Sequence, residues 1–356
     1  MNTLKTKISG NEICTGVRDG FALLDLARGW LQQGNTVVAM ELLVSAINSR
    51  EADHDQGLRA RILKEIGRVE MMQSNWEKSD TFYLEAQRVF LSVEDYKGAA
   101  ECSRNRANMF FQKGHFELAS SLCEQALEWA SIINNFELRA TILNTLGAIK
   151  SATGDIKESN KIFKLCLADF QSAGTKIRQG YVLLNIGLTQ TELKEYSEAI
   201  SSLNEALAIA LEEKDLTLVE ICYQNISKCY LEQGETLLAK SVLETARKIL
   251  PGLNSKALET ELELIEGRIN RLLGNYDRAE KVLEKSYTMA IEHKMTSLAA
   301  DILYEQAQVA IEKGTYPMAV SKLEKAADQF RQLGAQKAYE EALETLQNIR
   351  NKAGIK

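Results

Sequence analysis

The sequence predicts an all-α fold: a right-handed α-solenoid of eight helix-turn-helix repeats closed by a C-terminal capping helix. Three observations predict it. The 356 residues contain only 2 prolines, where average usage of about 5% would give roughly 18, and proline is what loops and strand edges consume. One sequence motif recurs every 40 residues without a gap. On both sides of that motif apolar residues follow helical spacing, as in Leu143, Leu146 and Ile149.

The N-terminal segment, residues 1–19, lacks the apolar core of a secretion signal. Its Ile8, Ile13 and Val17 equip it to lie in a groove of its own chain or of a neighbour. Eight 40-residue units then occupy residues 20–339, with turn residues Gly34, Ser74, Gly114, Gly154, Lys194, Gly234, Gly274 and Gly314. Glycine supplies a left-handed helix cap there at no steric cost, so the turns at Ser74 and Lys194 are expected to be strained or differently capped. Seven residues before the turn every side chain is small: Ala27, Gly67, Ala107, Gly147, Gly187, Ser227, Gly267 and Ala307. Nine after it stands a bulkier column that includes Leu43, Tyr83, Phe163 and Leu283, and five and twelve after it small residues return, as at Ala39, Ser79, Ala46 and Cys166. Small side chains let crossing helices approach, and large ones fill the gap between them. Residues 340–356 read as a capping helix and short tail, in which Leu343, Leu346 and Ile349 mark a ninth first helix without a partner.

This pattern resembles the tetratricopeptide repeat, whose unit carries a small residue at repeat position 8, glycine near 15, an aromatic near 17 and alanines at 20 and 27. With the turn residue as position 15, position 17 is aromatic at Trp76, Phe116, Tyr196, Tyr276 and Tyr316. The usual period is about 34; a period of 40 is similar to the subgroup of kinesin light chain and the LGN-type adaptors. The resemblance implies that the first helix of each repeat lines a concave groove through positions 2, 5, 6, 9, 12 and 13. Those columns hold Arg28, Arg61, Lys64, Arg68 and Arg104 toward the N-terminal end, then Asn105, Asn108, Asn144, Asn185, Gln224, Asn225 and Lys228. Toward the C-terminal end they hold Glu261, Arg268, Arg271, Asp301, Glu305 and Glu312. A side-chain amide both donates and accepts, so Asn105, Asn185 and Asn225, all at position 6, suit the backbone of an extended peptide. The five basic residues suit an acidic target. The carboxylate clamp for chaperone tails begins at Arg104 and Asn108 but fails at Thr145, Tyr181 and Asn185, so no such tail is expected.

The net charge of −6, with no block of like charges, argues against sequence-independent binding to nucleic acid. No run reaches the roughly 18 apolar residues of a membrane span, so no membrane insertion is expected. The 6 cysteines never form a CxxC and read as buried free thiols of a reducing cytoplasm. Cys222 and Cys229 stand two helical turns apart, too wide to share a metal, and neither metal nor cofactor is expected. His54, His115 and His293 fall at or near turns and read as solvated. HExxH, P-loop, GxGxxG and GxSxG patterns are absent from the sequence, and the expectation is that the chain is not an enzyme. Asn225-Ile226-Ser227 matches a glycosylation triplet only formally, in mid-helix. The expected function is that of a cytoplasmic, non-catalytic adaptor or scaffold that takes a peptide or helical segment of a partner protein in its groove. Two further readings stay open: a self-assembling structural module using the N-terminal segment, and a peptide-responsive regulatory subunit of a larger complex.

Overall fold

The computed structural model describes residues 19–249 and 255–353; Ile8, Ile13, Cys14, Val17 and Pro251 lie outside them. The described residues form eighteen helices and no strand. They fall into two compact units, Met1–Arg178 and Gln179–Lys356. The first contains α1 (Gly20–Gln32), α2 (Thr36–Ile47), α3 (Arg50–His54), α4 (Gln56–Met72), α5 (Trp76–Ser92), α6 (Tyr96–Gln112), α7 (Phe116–Ile132), α8 (Phe136–Ala152) and α9 (Ile156–Ala173). Helix α10 (Lys176–Glu192) carries the boundary. The second unit continues with α11 (Tyr196–Glu213), α12 (Leu216–Glu232), α13 (Thr236–Ile249), α14 (Lys256–Leu272), α15 (Tyr276–Glu292), α16 (Thr296–Glu312), α17 (Tyr316–Gln332) and α18 (Gln336–Ala353).

Within each unit the chain is an α-solenoid of antiparallel helix pairs, and the columns seen in the sequence are the contacts that close each pair. A Cβ added at Gly147 would lie 2.7 Å from the Phe163 ring, and one at Gly267 would lie 2.4 Å from Leu283 Cδ2. The small column therefore seats the bulky one sixteen residues later. Where serine replaces alanine five residues after the turn, its hydroxyl donates to the partner helix: Ser79 Oγ to the Gly67 carbonyl and Ser159 Oγ to the Gly147 carbonyl, both at 2.8 Å. Twelve after the turn, Cys166 Sγ and Ser286 Oγ donate in the same way to Ala140 and Thr260 carbonyls at 3.1 and 2.9 Å. These departures from alanine use a second lone pair of a helical carbonyl and so bury no unsatisfied hydroxyl.

All eight predicted turn residues are left-handed, with φ from 61° at Ser74 to 83° at Gly154. Ser74 and Lys194 make the same closing bonds as glycine would: the N–H groups of Asn75 and Glu195 reach the Glu70 and Gln190 carbonyls at 2.8 and 2.9 Å. The outcome there is strain and not a different cap. A second left-handed column, unseen in the sequence, ends the second helices at Glu94, Asn134, Gly174, Lys214, Lys294 and Gly334. Asp95, Asn135 and Asp215 directly after it, and Asp55 and Ser255 at the matching repeat position, cap the first helices, each accepting from the N–H three residues on at 2.8–3.4 Å.

Two elements depart from the expected regularity. The second helix of the first repeat stops at Ile47, because Ser49 caps a separate short helix, α3, by accepting from Ala52 N–H at 3.3 Å. In α18 the buried stripe is Ala342, Leu346 and Ile349, whereas Leu343 is 40% exposed. One residue is about 100° of helix, so Ala342 and Leu343 cannot share that face. Pro317 sits in the first turn of α17, where a missing N–H costs little.

Candidate functional site

In the first unit the predicted groove cations lie on α1, α4 and α6. Four of the five are held by carboxylates of the chain. Arg28 Nε donates to Glu65 at 3.1 Å and Nη1 to Asp25 at 3.4 Å. Arg68 pairs with Glu65 at 3.7 Å, and Arg61 with Asp55 at 3.9 Å. Lys64 pairs with Glu101. The acid lies on the next first helix for Arg28 and Lys64, so these pairs bridge repeats. Arg104 alone of the five has no ion-pair partner. Half-buried on α6, it donates through Nη2 to Asn105 Oδ1 at 2.6 Å, and its Nε is buried without a hydrogen-bond partner. Burial pulls its guanidinium below the ordinary arginine range, Arg178 pushes the same way, and Glu101 and Tyr83 oppose. Asn108 and Asn144 are half-buried on α6 and α8.

In the second unit the predicted residues lie on α10, α12, α14 and α16. Asn185 is half-buried on α10. Asn225 donates one Nδ2 hydrogen to the Ile221 carbonyl of its own helix at 2.8 Å, which leaves its carbonyl oxygen and the second N–H on offer. Gln224 corrects the expectation. It is 2% exposed and its amide reaches the Leu258 carbonyl at 3.5 Å, so it packs between neighbouring repeats and is not presented to a ligand. Glu305 is likewise buried, by Arg271, which also takes Glu312.

The same unit holds a cavity of about 610 Å³ lined by α12, α14, α16 and α18 and by no second helix. Its cations are all paired: Lys228 with Glu261 at 3.6 Å, Arg268 with Glu232 at 2.8 Å, and Arg271 with Glu305 and Glu312. Its acids are not: Asp301 and Glu341 line it without an ion pair. Asp301 opens to water but is walled by protein, and that desolvation pushes its carboxyl up to about 6, with Lys228 opposing and Glu261 reinforcing. Behind these stands Glu220, 1% exposed, its Oε2 without a hydrogen-bond partner. Burial and the Glu261 charge push it up to about 7. Reading the groove columns missed Glu220, although it stands out at repeat position 1, where Ala60, Ala100, Ala140, Gly180, Thr260 and Ala300 are small.

The tetratricopeptide repeat family matches residues 138–212, and the same helix pair recurs at the same period on either side of that stretch. That stretch is built of tetratricopeptide repeats. Solved structures agree with this fold. RapI in its apo form is 16% identical with a TM-score of 0.65, covering 78% of this chain and 99% of its own. The apo form of the quorum sensor NprR from B. thuringiensis is 11% identical with a TM-score of 0.68, covering 90% and 91%. A Rap protein complexed with Competence and Sporulation Factor is 16% identical with a TM-score of 0.56, covering 94% and 98%. No curated protein matches the sequence. Among the described residues, no helix is long and apolar enough to cross a membrane. The five described cysteines are buried and free, and His54, His115 and His293 are exposed at helix ends.

Proposed function

We propose that this tetratricopeptide-repeat chain is a non-catalytic adaptor of the cytoplasm whose first-helix face captures an extended or helical segment of a partner protein. Arg104 carries the reading. A half-buried guanidinium without a carboxylate, among neighbouring cations that all have one, is a place kept for an anion from outside the chain. Asn105, Asn108 and Asn144 supply amides beside it in the same unit, and Asn185, Asn225 and Lys228 are the corresponding offer of the second. Arg28, Arg61, Lys64 and Arg68 contribute more to holding repeats together than to binding. Free buried thiols accord with a reducing compartment.

Affinity capture from native lysate identifies the binder, and the purified binder's affinity is then compared between the unaltered chain and Arg104→Ala. The expected result is a loss of at least about tenfold, the usual cost of removing one partner of a buried charge pair. Equal affinities would overturn the assignment of Arg104. Between the other two readings, the peptide-responsive regulator is favoured over self-assembly, because the similar folds include a quorum sensor and a Rap protein complexed with Competence and Sporulation Factor.

A further inference from the structure

The cavity of the second unit differs in chemistry from the Arg104 surface. It presents two kinds of wall. One is apolar: Leu231, Leu264, Ile265, Leu298 and the ring of Tyr304. The other is charged and out of balance, since each of its cations already serves an acid of the chain while Asp301 and Glu341 serve none. Its volume of about 610 Å³ falls within the range of ligand pockets. Among the described residues no three His, Cys, Asp or Glu side chains come together closely enough to hold a metal ion. The complement of such a cavity is a monovalent organic cation on an apolar stem.

We infer that this cavity is the receptor for a lysine or arginine side chain of the bound protein segment, with the aliphatic stem against Leu264 and Leu298 and the charged head between Asp301 and Glu341. A basic side chain buries its methylenes along apolar surface while keeping its head on charge, and a tyrosine face adds a cation–π contribution. The elevated Asp301 carboxyl is consistent with this: an incoming cation offsets the desolvation and the lesser Glu261 repulsion that raise it, so binding favours the ionised form.

The inference rests on the segment-binding reading for its macromolecule and on the cavity for its charge. The test separates the two. A randomised peptide display library is panned on the full chain, with counter-selection on the double variant Asp301→Asn, Glu341→Gln. Enriched peptides are then measured by fluorescence polarisation on the unaltered chain, the double variant, Arg104→Ala and Asp301→Glu. Cooperative thermal melts confirm that the variants fold. The inference expects a lysine or arginine at a fixed place in the enriched peptides. It also expects at least a tenfold affinity loss on the double variant and retention on Asp301→Glu. Enriched peptides without a basic residue, or equal binding to the double variant, would each overturn it. Sensitivity to Arg104→Ala without sensitivity to the double variant overturns the cavity assignment and leaves the segment-binding reading standing.

Discussion

Glu220 shows how much one residue can change the behaviour of a repeat. Its carboxyl is held above its ordinary 4.5, at about 7, by burial and by Glu261. Between these two values the folded chain keeps a proton that the unfolded chain releases, so stability falls as pH rises through the window and levels off above it. Asp301, raised from 3.8 to about 6, adds a fall of the same sign at lower pH. Glu220→Gln should remove the upper part of this decline and leave the chain more stable than the unaltered protein near pH 8. Urea midpoints at about pH 5 and about pH 8 measure it, and an unchanged difference between the two would contradict the assignment. Residue chemistry was only partly legible beforehand. The basic character of Arg28, Arg61, Lys64 and Arg68 was plain, but the acids that take Arg28 and Lys64 sit one repeat away, at Glu65 and Glu101, where no periodicity of a single column reveals them. Gln224 was misplaced because its exposure depends on how the next repeat's Leu258 approaches, which a position number does not contain.

At the scale of the element, the 40-residue unit was fully readable where side-chain size decides the geometry. Gly67, Gly147 and Gly267 against Tyr83, Phe163 and Leu283 form a size code visible in any alignment of the repeats. The second left-handed column was not readable. Of its residues Glu94, Asn134, Gly174, Lys214, Lys294 and Gly334, only two are glycine, because the bonds that close the preceding helix, such as Asp95 N–H to the Phe90 carbonyl, are backbone bonds that any residue can make. The same tolerance explains Lys194 in the first turn column. Its φ of 62° costs an L-residue about 1 kcal/mol, and its side chain is exposed. Lys194→Gly should therefore stabilise the chain by roughly 0.5–1 kcal/mol, read as a rise in the urea midpoint with unchanged slope. A fall would show that the lysine side chain contributes something the turn geometry does not.

At the scale of the molecule, stability in a repeat array is a sum over neighbours. Helix α18 is the test of that sum in the second unit. Its Ala342 closes a cluster with Leu303 and Phe330, and its Leu346 and Ile349 close another with Ala307 and Leu323. Burying a large aliphatic side chain stabilises by about 1.5–3 kcal/mol, so deleting residues 336–356 should accelerate amide hydrogen exchange in α16 and α17. Helices of the first unit should exchange at their original rates. Uniform acceleration across the chain would mean that the array unfolds as one body.

The ion pairs that bridge successive first helices carry an evolutionary consequence. Arg28 to Glu65 and Lys64 to Glu101 join a base in one repeat to an acid in the next. The joint after the second repeat thus carries a charge match that a copy of that same repeat would not supply. A tandem duplication of the second repeat would set Lys64 beside a copied Arg61, which occupies the same repeat position as Glu101. Such an insertion would preserve every turn, cap and size match and still juxtapose like charges. Lengthening of the array by copying that unit is therefore disfavoured at the outset.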